Sequence, residues 1–432
     1  ATTVGRHPLS TRFTAVVRIC YLGYPDSQEL TSIYDKLLEI TFKEAINTGG
    51  DLAASNLANF SKPKDRLKFA GTLVEIYEKV KTSFLVDDAR HYLFTPRDLS
   101  AWVKNLLRYD LANEDFLEVV IYEGSRIFRD RMVDADSEAK LDTIVGTTFR
   151  SKWNNIPSLA GIHFTTLAST PITGARCAER RNDSISAPLL VRIGTADFVA
   201  CVEKGLEYYQ RENTEIRMLL FPQLLEHVSR VDRVISSPGG SLLLIGRSGV
   251  GRRTIVKLVS YMHGYSFNNP PMIRSVDEDG VIRHFQSILK SLIQSIAVEG
   301  RGAVLYVEDH HFCAGAILES INSLLSSGEV PGLFSKDELE GLFSLLREAM
   351  MDEGTVLSPC QFFVARVCKL LHVCVAMDPT NREFAARCES NPALFTKVTI
   401  LWMENWCRSS MRTIPIMIDG VKLLLLEGMC LY

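Results

Sequence analysis

A parallel α/β sheet covered by helices on both faces, preceded by an all-helical block, is the fold class this sequence predicts. Three observations predict it. From Pro25 to about Val133, apolar residues recur at three- and four-residue steps, the period of a buried helix face. From Ser241 onward, short apolar runs alternate with longer amphipathic stretches, as strands alternate with crossover helices. Between these regions, residues 166–190 mix Ser, Thr, Pro, Gly and charge with no apolar period, as a linker or exposed loop does.

The 432 residues suffice for two or three domains, and 46% hydrophobic with 23% charged residues excludes wholesale disorder. Lys and Arg total 48 against 51 for Asp and Glu, a net charge of −3 with no basic footprint for nucleic acid. No apolar run approaches the ~20 residues of a membrane span; the richest, Leu242–Ile245 and Leu423–Leu426, are short core segments, so no membrane insertion is expected. Ten cysteines, with Cys360, Cys368 and Cys374 the densest group, form no C-x-x-C pair. They read as free thiols of a reducing compartment, with no metal site. The start at Ala1 reads as a piece of something longer.

In order along the chain, residues 1–24 read as a loop and then a strand, Val16 to Tyr21, whose edge would be left unpaired and would favour association. Leu30, Ile33, Tyr34, Leu37 and Leu38 mark the first helix, capped by Asp26 or Ser27. Leu73, Ile76, Tyr77 and Val80 mark another; Leu99, Trp102, Val103 and Leu106 a third, opened by Thr95-Pro96. Helical period resumes at about Phe198 and stops at Ser236-Ser-Pro-Gly-Gly240. The strand 241–245 then leads through a glycine-rich turn into a helix over 253–263, and a poorly defined strand over 266–274 precedes a helix over 281–297. A strand over 303–307, helices over 316–325, 336–350 and 360–371, and strands over 372–377 and 397–403 complete the series. A weak repeat relates His7-Pro8 and Val16–Ile19 to Asn391-Pro392 and Val398–Leu401.

Gly246-Arg-Ser-Gly249-Val-Gly251-Arg252-Arg253-Thr254 joins strand to helix. Glycines let successive N–H groups turn inward, and a helix N-terminus adds positive potential, so such a turn can cradle phosphate. The P-loop pattern places Lys and then Ser/Thr after the last glycine. Here Arg252 and Arg253 stand in those places, and Thr254 comes one residue late. An empty glycine turn is the equal alternative on this segment alone. Four apolar residues from Val304 end in Glu308-Asp309, which puts two carboxylates at the edge where open α/β sheets bind ligands. Loop and acids in this order indicate a P-loop ATPase core, with the acids in inverted order. Asp378, at the end of the next strand, suits either a γ-phosphate sensor or an Asx turn. His310 and His311 read mainly as local hydrogen-bonding residues.

Ile321-Asn-Ser-Leu-Leu-Ser-Ser-Gly328-Glu-Val-Pro331-Gly-Leu-Phe334 resembles the helix-to-loop segment of the AAA+ units of dynein heavy chains. His91-Tyr-Leu-Phe-Thr-Pro-Arg97-Asp-Leu, with Arg126-Ile-Phe-Arg-Asp-Arg131, is similar to the lid of their third unit. The glycine loop, Cys388-Glu-Ser-Asn-Pro-Ala-Leu394 and Leu401-Trp-Met-Glu-Asn-Trp406 resemble the degenerate fourth unit of the cytoplasmic dynein 2 class. The resemblance implies an AAA+ P-loop sheet preceded by a helical lid. Residues 1–150 would end the third large subdomain and include its lid, 151–194 would be linker, and 195–432 the fourth large subdomain.

It further implies an arginine finger at Arg12 for the preceding site, a sensor arginine at Arg97 for the third unit's own site, and no arginine at the matching Thr396-Lys397. Apart from the family, Arg12 and Arg97 read as surface or capping arginines. The implied cofactor is ATP or ADP, with Mg²⁺ weakly held if at all. The implied partners are neighbouring AAA+ units, microtubules through a stalk, and intermediate and light chains through a tail, all outside this chain. The implied setting is cytoplasm, cytoskeleton and cilium, in ATP-driven retrograde intraflagellar transport. A free-standing chaperone-type ATPase and a nucleotide-free scaffold are the rival readings.

Overall fold

The computed structural model describes residues 10–20, 22–153, 161–168, 188–213, 218–271, 277–403, 406–408 and 410–412. They divide into two units, Ala1–Ala160 with Cys388–Pro392, and Gly161–Arg387 with Ala393–Tyr432.

The first unit is helical because its apolar residues keep the helix period and its caps stop each element. After a single turn, α1 (Thr11–Thr14), come α2 (Ser27–Ser61), α3 (Pro63–Ser83), α4 (Pro96–Asn105), α5 (Phe116–Phe128) and α6 (Ala135–Lys152). Asp26 caps α2 by accepting from Glu29 N at 2.8 Å, and Gly50, with φ 62°, kinks that helix midway. Phe42, Phe60, Phe69 and Phe116 form one ring cluster, with Phe60 and Phe116 centroids 4.7 Å apart. Trp102 is fully buried and donates to Val120 O at 2.9 Å; a Cβ on Gly124 would stand 2.5 Å from its ring.

The strand expected from Val16 is not formed in the described residues. Ser10 caps α1, residues 15–20 carry no strand, and Val16 and Ile19 are 80% and 73% exposed. Alternating apolar residues make a strand only when a neighbour completes the ladder; no strand of the described residues pairs with this stretch. The repeat with 398–401 therefore has a strand at one end only.

His91 is buried, its Nε2 2.8 Å from Arg131 O. Burial, the largest cause, holds its pKa down to about 4 against an ordinary 6.5. The folded ring stays neutral where the unfolded one takes up a proton. Stability should therefore fall as pH drops from about 6.5 to about 4, by about 3 kcal/mol at 1.36 kcal/mol per pKa unit. Urea denaturation at pH 7 and pH 4, compared with His91→Gln, checks this; an unchanged pH slope in the variant would refute it.

In the second unit, a short antiparallel pair, β1 (Ile162–Thr165) and β2 (Val191–Gly194), lies within the stretch expected to be linker. Residues 169–187, most of the expected loop, lie outside the described residues. Next come α7 (Thr195–Glu212), α8 (Pro222–Ile235), β3 (Leu242–Ile245), α9 (Arg252–Met262), β4 (Ser266–Asn268) and α10 (Glu278–Glu299). These are followed by β5 (Ala303–Glu308), α11 (Gly315–Ser327), α12 (Lys336–Asp352), α13 (Pro359–Leu370), β6 (Leu371–Met377), α14 (Phe384–Ser390, whose residues from Cys388 on count with the first unit), α15 (Ala393–Thr396) and β7 (Thr399–Trp402).

The five strands lie parallel in the order β4-β5-β6-β3-β7. One face, Leu242, Leu244, Val304, Tyr306, Cys374, Ala376 and Leu401, packs with α7, α8 and α9 residues in one core. The alternate residues Leu243, Ile245, Leu305, Val307 and Val375 are equally buried, so both faces are covered, as the near-continuous apolar strands require. This is the α/β P-loop sheet the sequence predicts. No helix among the described residues is long and apolar enough to cross a membrane.

Candidate functional site

The strand order places β6 between the loop-bearing β3 and the acid-bearing β5, so all three carboxyl ends meet. Gly246 N donates to Met377 O at 3.0 Å, and a Cβ at 246 would lie 2.6 Å from Met403 O. Gly249 and Gly251 take φ 95° and 84°, which favour glycine, and Gly251 is the N-cap of α9. A Cβ at 249 would meet nothing within 4 Å, so the loop mouth is open. Left-handed glycines, open space and a helix N-terminus fit the phosphates of a nucleotide.

The residues that would hold Mg²⁺ do not fit it. Arg252 Nη1 donates to Met377 O at 2.8 Å and so points along the end of β6. Arg253 stands where a hydroxyl is needed; with the Asn269 amide oriented to satisfy both its neighbours, Arg253 Nη2 donates to it at 2.9 Å. Thr254, half-buried, lies one residue further into α9.

Glu308 Oε2 is 3.4 Å from His310 Nδ1. His311 Nδ1 accepts from Glu308 N at 2.9 Å while Nε2 donates to Pro270 O at 2.8 Å, which fixes a neutral ring. Burial, first among the causes, pushes the His311 pKa down. Asp309 Oδ2 accepts from Asp378 N at 2.6 Å, and Oδ1 pairs with Arg387 Nη1 at 3.2 Å. Asp378 accepts from Thr380 N and Oγ1 at 2.9 and 2.6 Å, and Ser248 N–H and the Arg252 charge also face it. Burial alone would raise the Asp378 pKa, but the Thr380 bonds, then Arg252 and Ser248, outweigh it and hold it below its ordinary value.

Gly246, Gly249, Gly251, Arg252, Arg253, Thr254, Glu308, Asp309 and Asp378 thus gather at one sheet edge. Arg12 and Arg97 belong to the first unit, each exposed, on α1 and on the first turn of α4. Asp98, next to Arg97, is fixed by Thr95 N at 2.7 Å and Arg131 Nη2 at 2.5 Å, so α4 starts in a defined place.

Two features escaped the sequence reading. Arg387 lies on short α14 with no pattern to mark it. Asp232, on α8, is fully buried and accepts from Thr165 Oγ1 at 2.8 Å, Thr166 N and Oγ1 at 2.7 Å, and His263 Nε2 at 2.7 Å. It ties β1 to the far end of α9, whose near end is the phosphate loop. A polar residue on an otherwise apolar helix face was the available signal. A cavity of about 310 Å³ at the opposite, amino edge of the sheet, walled by Tyr208, Tyr261 and Tyr265, includes none of the loop residues.

The family model for the P-loop containing dynein motor region D4 matches residues 216–418, and that for the dynein heavy chain ATPase lid domain matches 52–138. Cytoplasmic dynein 2 heavy chain 1 of the sea urchin Tripneustes gratilla is 40% identical over 426 residues, 96% of this chain. The proteins of that name from Homo sapiens and Chlamydomonas reinhardtii are 39% and 38% identical over 96% and 94%. The chain spans about a tenth of the length of these relatives, 9% of the sea urchin protein and 10% of the human one.

Proposed function

The chain belongs to the dynein heavy-chain family, and from this premise we propose that it contributes a nucleotide-holding, weakly or non-hydrolytic fourth unit to an AAA+ motor ring. In this reading residues 1–150 end the third unit and form its lid, 151–194 link, and 195–432 form the fourth large subdomain.

One observation carries the proposal: the loop has left-handed glycines and an open mouth at a helix N-terminus, while Asp309 beside it is bonded within the protein. Bound ATP or ADP would supply the anion that the loop N–H groups and the α9 N-terminus face. Gly249 and Gly251 let the backbone approach it, and Arg252 adds positive charge from the β6 edge. Asp309, at the position from which a carboxylate would activate water, has both oxygens bonded within the protein.

The whole motor, by likeness to proteins named cytoplasmic dynein 2, would use ATP for minus-end-directed movement on microtubules in retrograde intraflagellar transport. Its setting would be the cytoplasm, cytoskeleton and cilium, with intermediate and light chains as partners. This unit would regulate or brace the ring. The test is nucleotide extraction from the purified full heavy chain with its other phosphate loops disabled. ATP or ADP retained at this site, without turnover, is expected; an empty site would favour a scaffold, and rapid turnover would refute the inactive site.

Arg12 is exposed on α1. Arg12→Ala in the full ring should weaken nucleotide binding next door about tenfold, near the ~1.5 kcal/mol of a hydrogen bond to a charged group. If the neighbouring site hydrolyses, a larger loss is expected, since an arginine finger is worth roughly 10³–10⁵ in rate. Unchanged occupancy there would return Arg12 to a surface role, and Arg97→Ala tests the third unit's own site in the same way.

A further inference from the structure

We propose that Arg387 is the positioning residue that keeps Asp309 out of chemistry, bolting the stretch that follows β5 to α14 while Asp309 accepts from the residue after β6. This rests on the reading that the site holds nucleotide without turning it over. The Arg387 side chain is only 16% exposed. Nη1 pairs with Asp309 Oδ1 at 3.2 Å, while Nη2 donates to Phe312 O at 3.1 Å and pairs with Glu383 at 2.5 Å. The guanidinium also lies 5.6 Å from the centre of the Phe312 ring.

A planar fork with several donors can hold a carboxylate and a carbonyl at once, which a lysine ammonium cannot do with the same fixed geometry. The other Asp309 oxygen is taken by Asp378 N at 2.6 Å. A general base needs a lone pair within ~2.6–3.2 Å of the proton it accepts. Here each oxygen already holds one donor, a guanidinium on Oδ1 and a backbone N–H on Oδ2, which lowers the basicity of the carboxylate and fixes where its remaining lone pairs point. Arg387 is thus a brake additional to the substituted loop residues and the inverted acid order, and it lies 78 residues downstream of Asp309.

The test uses the full heavy chain with its other nucleotide sites disabled. In the otherwise unaltered chain, Arg387→Ala should speed hydrogen exchange of the Asp378 N–H about tenfold. The readout is clean because Pro379 has no N–H. Unchanged exchange would overturn the proposal. In a chain carrying R252K, R253T, E308D and D309E, adding Arg387→Ala should raise ATP turnover at least tenfold; no gain would overturn it. If the alanine variant does not fold, Arg387→Gln carries both arms with the same expectations. Nucleotide content of the unaltered chain tests the underlying reading separately.

Discussion

Placing Lys, Thr, Asp and Glu at positions 252, 253, 308 and 309 of the full heavy chain, its other sites disabled, should raise ATP turnover here by about 10²-fold or more. Each replacement answers a contact in the structure. Arg252 reaches the Met377 carbonyl, and a compact ammonium could instead sit over the loop. Arg253 brings a second guanidinium where a hydroxyl is required, and Thr254, about 100° further round the helix, does not substitute for it. Asp309 is one methylene shorter than the glutamate of the usual order. A ~1 Å misplacement of a catalytic group can cost ~10²-fold. Clearing Arg387 should add to the gain. Single-turnover ATP hydrolysis measures it, and equal rates in unaltered and restored chains would show that these departures do not disable the site.

Asp232→Ala should destabilise the second unit by about 3 kcal/mol or more, since each buried donor left without its acceptor costs about 1–3 kcal/mol. Domains have only about 5–15 kcal/mol in total, so much of the unit's stability would be lost. The change removes the acceptor that the Thr165 hydroxyl, the Thr166 N–H and hydroxyl, and His263 Nε2 share in the buried interior. Asp232→Asn keeps the shape and should cost less.

Burial would raise the Asp232 pKa, but the bonds from His263 and Thr166 outweigh it and hold it below the ordinary 3.8. A depressed acid stabilises the fold fully above its unfolded pKa. This contribution is therefore complete above about pH 4 and is lost as pH falls through the folded value. Urea denaturation at pH 7 and pH 3 checks both statements. A loss below 1 kcal/mol for the alanine variant would show that the network is not a stabilising lock.

The fold was legible in the sequence wherever the information is local. Short apolar runs made strands, three- and four-residue steps made helices, and Asp26 and Thr95-Pro96 began helices where they stand. The strand-loop-helix from Leu242 to Met262 followed from four aliphatic residues, three glycines and an amphipathic run. Local pattern misled at Val16–Cys20, because alternation specifies a strand only when another strand completes its ladder. It also missed β1 and β2, which are four residues each and owe their form to one another and to α8.

The sequence by itself determined the two kinds of architecture, the phosphate-shaped loop and the two acids at a strand end. Only the tertiary structure decided which groups those acids meet. The order β4-β5-β6-β3-β7 is not written in any local pattern, yet it brings Asp378 beside both Ser248 and Asp309. It also lets Arg387 close on Asp309 across 78 residues of chain. Period and spacing constrain neighbours along a helix or strand, whereas a carboxylate's availability depends on which donors the folded sheet sets against it.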